Sequence, residues 1–126
     1  MKIISLNSLP HHELVSSKTG EAYSKSAVLT ELFGFQDIFV HHEILQPGRK
    51  SSALHHHTLH EEMVIVLNGS PICHLGDQKI QMKSGDVIGF KPSSTESHCI
   101  ENRSDNEVVH LLVICSNPKD DRTVYD

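Results

Sequence analysis

Tryptophan is absent from this 126-residue chain and tyrosine occurs only twice, so a flat aromatic ligand has no obvious stacking platform. Cysteine is scarce. The three residues, Cys73, Cys99 and Cys115, are odd in number and nowhere form a Cys-x-x-Cys pair. Reduced thiols in a cytoplasmic protein are the simplest reading. No apolar run approaches the length of a membrane span. Met1–Leu9 carries one lysine and only short apolar stretches, without a signal-peptide core or cleavage site. Positive charge is in deficit: 11 Lys and Arg stand against 16 Asp and Glu, a net charge of −5. A nucleic-acid partner is therefore not expected on electrostatic grounds, and acidic substrates would need a metal or local Lys and Arg to draw them in. Internal repeats, low-complexity stretches and linkers are also missing. The length suits one domain, residues 1–126, that buries its own core.

Histidine, by contrast, is abundant, with 11 residues. Their arrangement is the most informative feature of the chain. One segment runs Gly48-Arg-Lys-Ser-Ser-Ala-Leu-His55-His56-His57-Thr-Leu-His-Glu-Glu62-Met-Val-Ile-Val-Leu-Asn-Gly69. A second runs Gly85-Asp-Val-Ile-Gly-Phe-Lys-Pro92-Ser-Ser-Thr-Glu-Ser-His98-Cys-Ile-Glu-Asn102. Residues two apart on a strand share a face, so His55 and His57 can reach one ion together. A turn over Thr58–Glu61 absorbs the odd step to Glu62. His98 arrives from a distant strand. Three imidazoles and a carboxylate are ligand types for a divalent first-row metal such as Zn, Fe, Mn or Ni, with Zn the first choice. His56 faces away if His55 and His57 face in, and His60 lies in the turn. Both are surplus on this reading. His11, His12, His41 and His42 read as solvated, except that one of the last two must point inward. His74 and His110 sit in apolar strand contexts as satisfied interior histidines.

The pattern elsewhere is that of short strands at roughly ten-residue spacing. Residues 1–23 are polar, with a possible strand at Lys2–Leu6. Val28–Phe33 reads equally as a strand or one helical turn. Strands are expected at Phe35–Gln46, Ala53–His57, Glu62–Leu67, Ile72–Leu75, Lys79–Met82, Val87–Phe90, His98–Glu101 and Val108–Cys115. Asn68-Gly69 and Gly76-Asp77 mark turns. In Glu62–Leu67 the side chains of Met63, Ile65 and Leu67 oppose those of Glu62, Val64 and Val66. Such a series argues for an all-β sandwich or jelly roll, core about 35–115. Residues 1–34 are peripheral, and residues 116–126 form a loose tail or a strap over a neighbour. An apolar row at Met63, Ile65 and Leu67 needs a cover, either the chain's own N-terminal segment or a second copy, which suggests a homodimer.

The two histidine segments resemble the two conserved motifs of the cupin superfamily. The first follows the form Gly, His-x-His, Glu, Gly. The second follows Gly, Pro, His, Asn, with Ser94 where glycine is usual and His98 one residue late. The resemblance covers about residues 40–115. It is narrower with small single-domain cupins of a sugar-phosphate isomerase-like group, which share HHEILQPG, GDVIGF, a CIENRSD-like segment and a DRTVYD tail. It implies a double-stranded β-helix with one metal bound by His55, His57, Glu62 and His98. It implies a small-molecule metalloenzyme of isomerase-like or dioxygenase- or decarboxylase-like type, or alternatively a non-catalytic binding or sensing module. Catalytic residues beyond the ligands are not identifiable. For a sugar phosphate, Arg49 and Lys50 are the only plausible phosphate contacts.

Overall fold

A computed structural model describes residues 3–92 and 96–126. Eleven strands form two antiparallel sheets. They are β1 (His12–Val15), β2 (Ala22–Val28), β3 (Ile38–Leu45), β4 (His55–His57), β5 (Glu62–Asn68), β6 (Ile72–Leu75), β7 (Gln78–Gln81), β8 (Val87–Phe90), β9 (His98–Glu101), β10 (Val109–Ser116) and β11 (Thr123–Tyr125). One sheet has the order β1-β2-β3-β10-β5-β8 and the other β11-β4-β9-β6-β7. The all-β jelly-roll expectation holds.

The eight strands expected from Phe35 onward are present, with ends shifted by up to three residues. Two strands were not expected: β1 lies within residues 1–23, read as polar, and β2 starts at Ala22 and runs on to Val28. Strand β1 does not alternate because it is an exposed edge, which relaxes the requirement for apolar side chains, whereas β2 is paired on both sides and buries Ser24 and Ala27. The expected strand at Lys2–Leu6 is not found over Ile3–Leu6, and Lys2 lies outside the described residues. A 3-10 turn occupies Leu6–Ser8 instead. The ambiguity at Val28–Phe33 resolves both ways: Val28 ends β2, and Thr30–Phe33 is a 3-10 turn closed by Gly34 in the left-handed region. The C-terminal tail is neither loose nor spent on a neighbour. Thr123, Val124 and Tyr125 pair with His57, His56 and His55 of the same chain.

Strand β10 organises the interior. Its burial alternates strictly, with Val109, Leu111, Val113 and Cys115 facing inward. Register then sets inward rows across β3, β10 and β5. Leu45 opposes Val109; Glu43, Leu111 and Val66 follow; then His41, Val113 and Val64; then Phe39, Cys115 and Glu62. One end of the barrel is thus filled by Leu45, Val109, Leu111 and Val66, with Glu43 in their row at its inner margin, and His41 and Glu62 lie toward the other end. A fully buried leucine such as Leu45 or Leu111 contributes roughly 2–3 kcal/mol, so this end carries much of the stability. Gly69 closes β5 at φ 102°, and a Cβ there would fall 2.7 Å from Val109 Cγ2, so the turn requires glycine.

The two motifs meet at the filled end. Gly48 N–H donates to Asn102 O, and Asn102 N–H to Arg49 O. The Asn102 amide is buried and donates to Leu45 O at 3.0 Å and Glu107 O at 2.8 Å. Asn102 is a structural clasp, remote in role from the histidines that share its motif.

Candidate metal centre

The site is built where strands of both sheets converge. His55 and His98 are direct cross-strand partners of β4 and β9, with ring centroids 4.7 Å apart. His57, two residues along β4, has its ring 5.0 Å from that of His55. Glu62 enters from the other sheet at the start of β5, and its Oε2 lies 2.7 Å from His98 Nε2. Phe90 opposes Glu62 on β8 and stacks on the His98 ring at 3.6 Å, nearly parallel at 2°. That stacking fixes the plane of a histidine that is itself buried.

Two of the imidazoles are anchored through Nδ1. His55 Nδ1–H donates to Ala53 O at 2.9 Å, with Ser52 Oγ 3.0 Å away. His57 Nδ1–H donates to Asp121 Oδ2 at 2.9 Å. The other Asp121 oxygen accepts Leu59 N–H at 2.8 Å and His60 N–H at 2.9 Å. Both rings therefore keep the Nε2 lone pair for a ligand, the arrangement by which metal-binding histidines are usually oriented. Burial lowers the pKa of His55, His57 and His60, so they are neutral near pH 7. Burial pushes the Glu62 carboxyl up, but the His98 hydrogen bond and the surrounding imidazoles outweigh it and hold the group below the usual range. Neutral imidazoles beside an ionised carboxylate are the protonation states that a cation requires.

The ligand atoms group into two overlapping trios, His55, Glu62 and His98, and His57, His60 and Glu62, each with its atoms within 4.8 Å of one another. His55, His57 and His98 thus each fall in a trio with Glu62, but no one trio holds all four residues expected from the sequence. His60, set aside as a turn residue, joins them. Its ring stacks on His57 with centroids 3.5 Å apart, and its Nε2 is buried without a hydrogen-bond partner. A buried, unpaired ring nitrogen beside a carboxylate suits a cation. Sequence parity missed His60 because the chain turns between β4 and β5. Asp121 was missed because nothing in the sequence ties it to His57.

The trios open into a cavity of about 250 Å³. His41 and Glu43 line it, so His41 is the inward member of the pair at residues 41 and 42. His42 faces the outer side of the sheet, yet it is buried rather than solvated, held between His11 and His110 at 2.8 and 3.1 Å. His11 likewise is no free surface histidine. His110 is part of this outer chain, and half-buried His74 pairs with Glu101 at 2.7 Å. Among the described residues no lysine or arginine lines the cavity. Arg49 instead donates to Tyr23 O at 3.2 Å and approaches Glu13, and Lys50 borders a separate surface pocket. The expectation that these two could hold a phosphate here fails, because the turn after Gly48 carries both outside the barrel. All three cysteines are free and buried. Burial pushes the Cys73 and Cys99 thiols up to about 11 and Cys115 up to about 12, so none is an activated nucleophile. Of the loop Pro92–Ser97, where the motif spacing departs from the usual form, residues 93–95 lie outside the described residues.

Comparison with known proteins gives a consistent picture. Residues 41–115 match the family model described as Cupin domain. No curated protein matches the chain. Among solved structures, the chain is similar to a sugar phosphate isomerase of the cupin superfamily from Silicibacter pomeroyi, with a TM-score of 0.91 at 24% identity over 99% of this chain and 82% of that one. It is similar to a predicted oxalate decarboxylase from Thermotoga maritima, at 0.74 and 22% over 93% and 100% of the two chains. It is also similar to the polyketide cyclase RemF from Streptomyces resistomycificus, at 0.81 and 16% over 99% and 84%. At these identities the likeness concerns the fold.

Proposed function

The chain belongs to the cupin family, and on that premise we propose that it binds one divalent metal through His55, His57, Glu62 and His98 and presents it to a small molecule in the barrel cavity. The observation that supports this reading is that His55 and His98 in one trio and His57 in the other share Glu62, each His Nε2 left available by an anchored Nδ1 or directed at the carboxylate. A bound divalent ion supplies a Lewis acid that polarises a carbonyl or lowers the pKa of water. The protein's own part is separate. Asp121 orients His57, Phe90 holds the plane of His98, and the apolar walls at Val64, Val113 and Leu111 exclude water from the interior.

An isomerase-like or a dioxygenase- or decarboxylase-like metalloenzyme uses such a centre equally well, since both need oxygens of a small substrate beside the ion. The ligand set is the first thing to test. Isothermal titration of the metal-free chain with Zn(II), Mn(II) and Fe(II) is compared for His57→Ala and His60→Ala. Loss of tight binding in the first with retention in the second supports the proposed set. The reverse result would transfer the ligand role to His60.

A further inference from the structure

The cavity has a second polar end that the metal reading does not use. Glu43, buried and only 5% exposed, faces inward from β3. Its Oε1 accepts a hydrogen bond from the buried Ser24 hydroxyl. Its Oε2 lies 3.2 Å from His41 Nδ1, and that nitrogen has no aligned hydrogen-bond partner. Two inward polar atoms, one an acceptor and one a ring nitrogen, therefore stand side by side without a completed bond. A buried pair of this kind costs stability unless something completes it.

Register places this pair opposite the metal centre. Glu43 and His41 lie two strands away from β5, across β10, and on the same inward face Glu62 is two rows beyond Glu43's neighbour Leu111 and one row beyond His41's neighbour Val113. Two strand spacings and two to four residues along the strand put the backbones roughly 12–16 Å apart. Val64, Val113 and Leu111 form the floor between. The cavity is thus polar at both ends and apolar in the middle.

We propose that the His41–Glu43 end binds a hydroxyl group of the ligand, and that the ligand is an uncharged, phosphate-free hydroxy-ketone whose carbonyl end faces the metal centre. The assignment rests on the metal reading for the orientation of the ligand only. A hydroxyl both donates and accepts, so it completes the Glu43 carboxylate and the His41 ring nitrogen together. A phosphate offers only acceptors at neutral pH. It would sit against the Glu43 carboxylate, in a cavity with no lysine or arginine among its described lining residues. The apolar floor disfavours a ligand with hydroxyls on every carbon, since each would be buried without a partner.

The test uses the full chain loaded with Mn(II), its metal content measured in each sample. Paramagnetic broadening of ligand proton lines is recorded for 1-deoxyxylulose and for 1-deoxyxylulose 5-phosphate, which differ only in the terminal hydroxyl. The neutral compound is expected to broaden at least several-fold more than its phosphate. Glu43→Leu removes the acceptor at similar volume and is expected to weaken binding of the neutral compound about tenfold, the worth of one hydrogen bond. The double variant Ser24→Ala/Glu43→Leu removes the orphaned hydroxyl and keeps the experiment readable if the single variant folds poorly. Equal or greater broadening of the phosphate would overturn the proposal, as would absence of broadening for both, or unchanged binding in the variants. Failure to retain Mn(II) at all would instead refute the metal reading itself.

Discussion

His57 Nδ1 lies 2.9 Å from Asp121 Oδ2, joining residues 64 positions apart and tying the segment just before β11 to the candidate metal centre. The same carboxylate holds the turn between β4 and β5 through Leu59 and His60 N–H. A carboxylate behind a metal-binding histidine fixes its tautomer and raises its basicity. Asp121→Asn keeps an acceptor for the turn but loses the charge. It is expected to weaken metal affinity roughly 10- to 100-fold while circular dichroism stays that of the parent. Unchanged affinity would mean that the contact serves only the turn.

Removing a ligand should not unfold the barrel. The core cluster of Leu45, Val66, Val109 and Leu111 lies at the end away from Glu62 and does not depend on an ion. His57→Ala or Glu62→Ala is expected to lose tight metal binding and keep a single cooperative unfolding transition, unlike a zinc finger, whose folding is its metal binding. A non-cooperative melt of the metal-free protein would contradict this.

Acid should destabilise the fold through the outer histidine chain. His42 is 1% exposed. Burial, with His11 and His110 beside it, pushes its pKa down to about 4 from an ordinary 6.5, against an opposing pull from Glu43. Between these two values the unfolded chain binds a proton that the folded chain refuses. The associated stability is present in full above about pH 6.5 and is lost as pH falls toward about 4. The gap corresponds to about 3 kcal/mol. His55, His57, His60 and His110 are shifted in the same direction and steepen the loss. Urea midpoints taken from pH 7 to 4 measure it. His42→Leu is expected to reduce the slope by about one proton, and an unaltered slope would remove His42 from the account.

The outer apolar row stays open in the single chain. Met63 and Leu67 are 44% and 41% exposed, Ile65 between them is half-buried, and Val87, its partner on β8, is 53% exposed; the described N-terminal residues do not cover the row, though Leu6 and Asn7 border a pocket with Leu67. We propose a two-fold dimer through this row with the N-terminal residues at its margin. Light scattering at micromolar concentration is expected to give twice the chain mass, and Met63→Lys to halve it. A monomer mass for the parent chain would end the idea.

The fold was legible because inward and outward residues alternate along the central strands and because turn residues separate them. Strand β10 was found as an apolar run between turns, and only the structure shows its burial changing at every step, since outward Leu112 and Ile114 are apolar as well. Strand β1 was not legible, since an edge strand open to solvent needs no apolar alternation, and in the interior strand β2 buried Ser24 and Ala27 give no apolar alternation to read. His55, His57, Glu62 and His98 were found from ligand type and strand parity. His60 escaped the parity argument because a turn does not keep the two-residue period. Asp121, Glu43 and His41 meet the site only through pairings and register, which local sequence does not encode. Arg49 and Lys50 show the converse, for proximity in sequence to His55 did not bring them to the cavity.

The central claim is that one divalent ion occupies the centre formed around Glu62. Metal analysis by mass spectrometry of the full chain, purified without a histidine tag and dialysed against metal-free buffer, tests it most directly. The account predicts close to one equivalent of a single transition metal per chain, falling to background in His98→Ala. Background metal in the parent chain, with no binding on titration with Zn(II), Mn(II), Fe(II) or Ni(II), would contradict it.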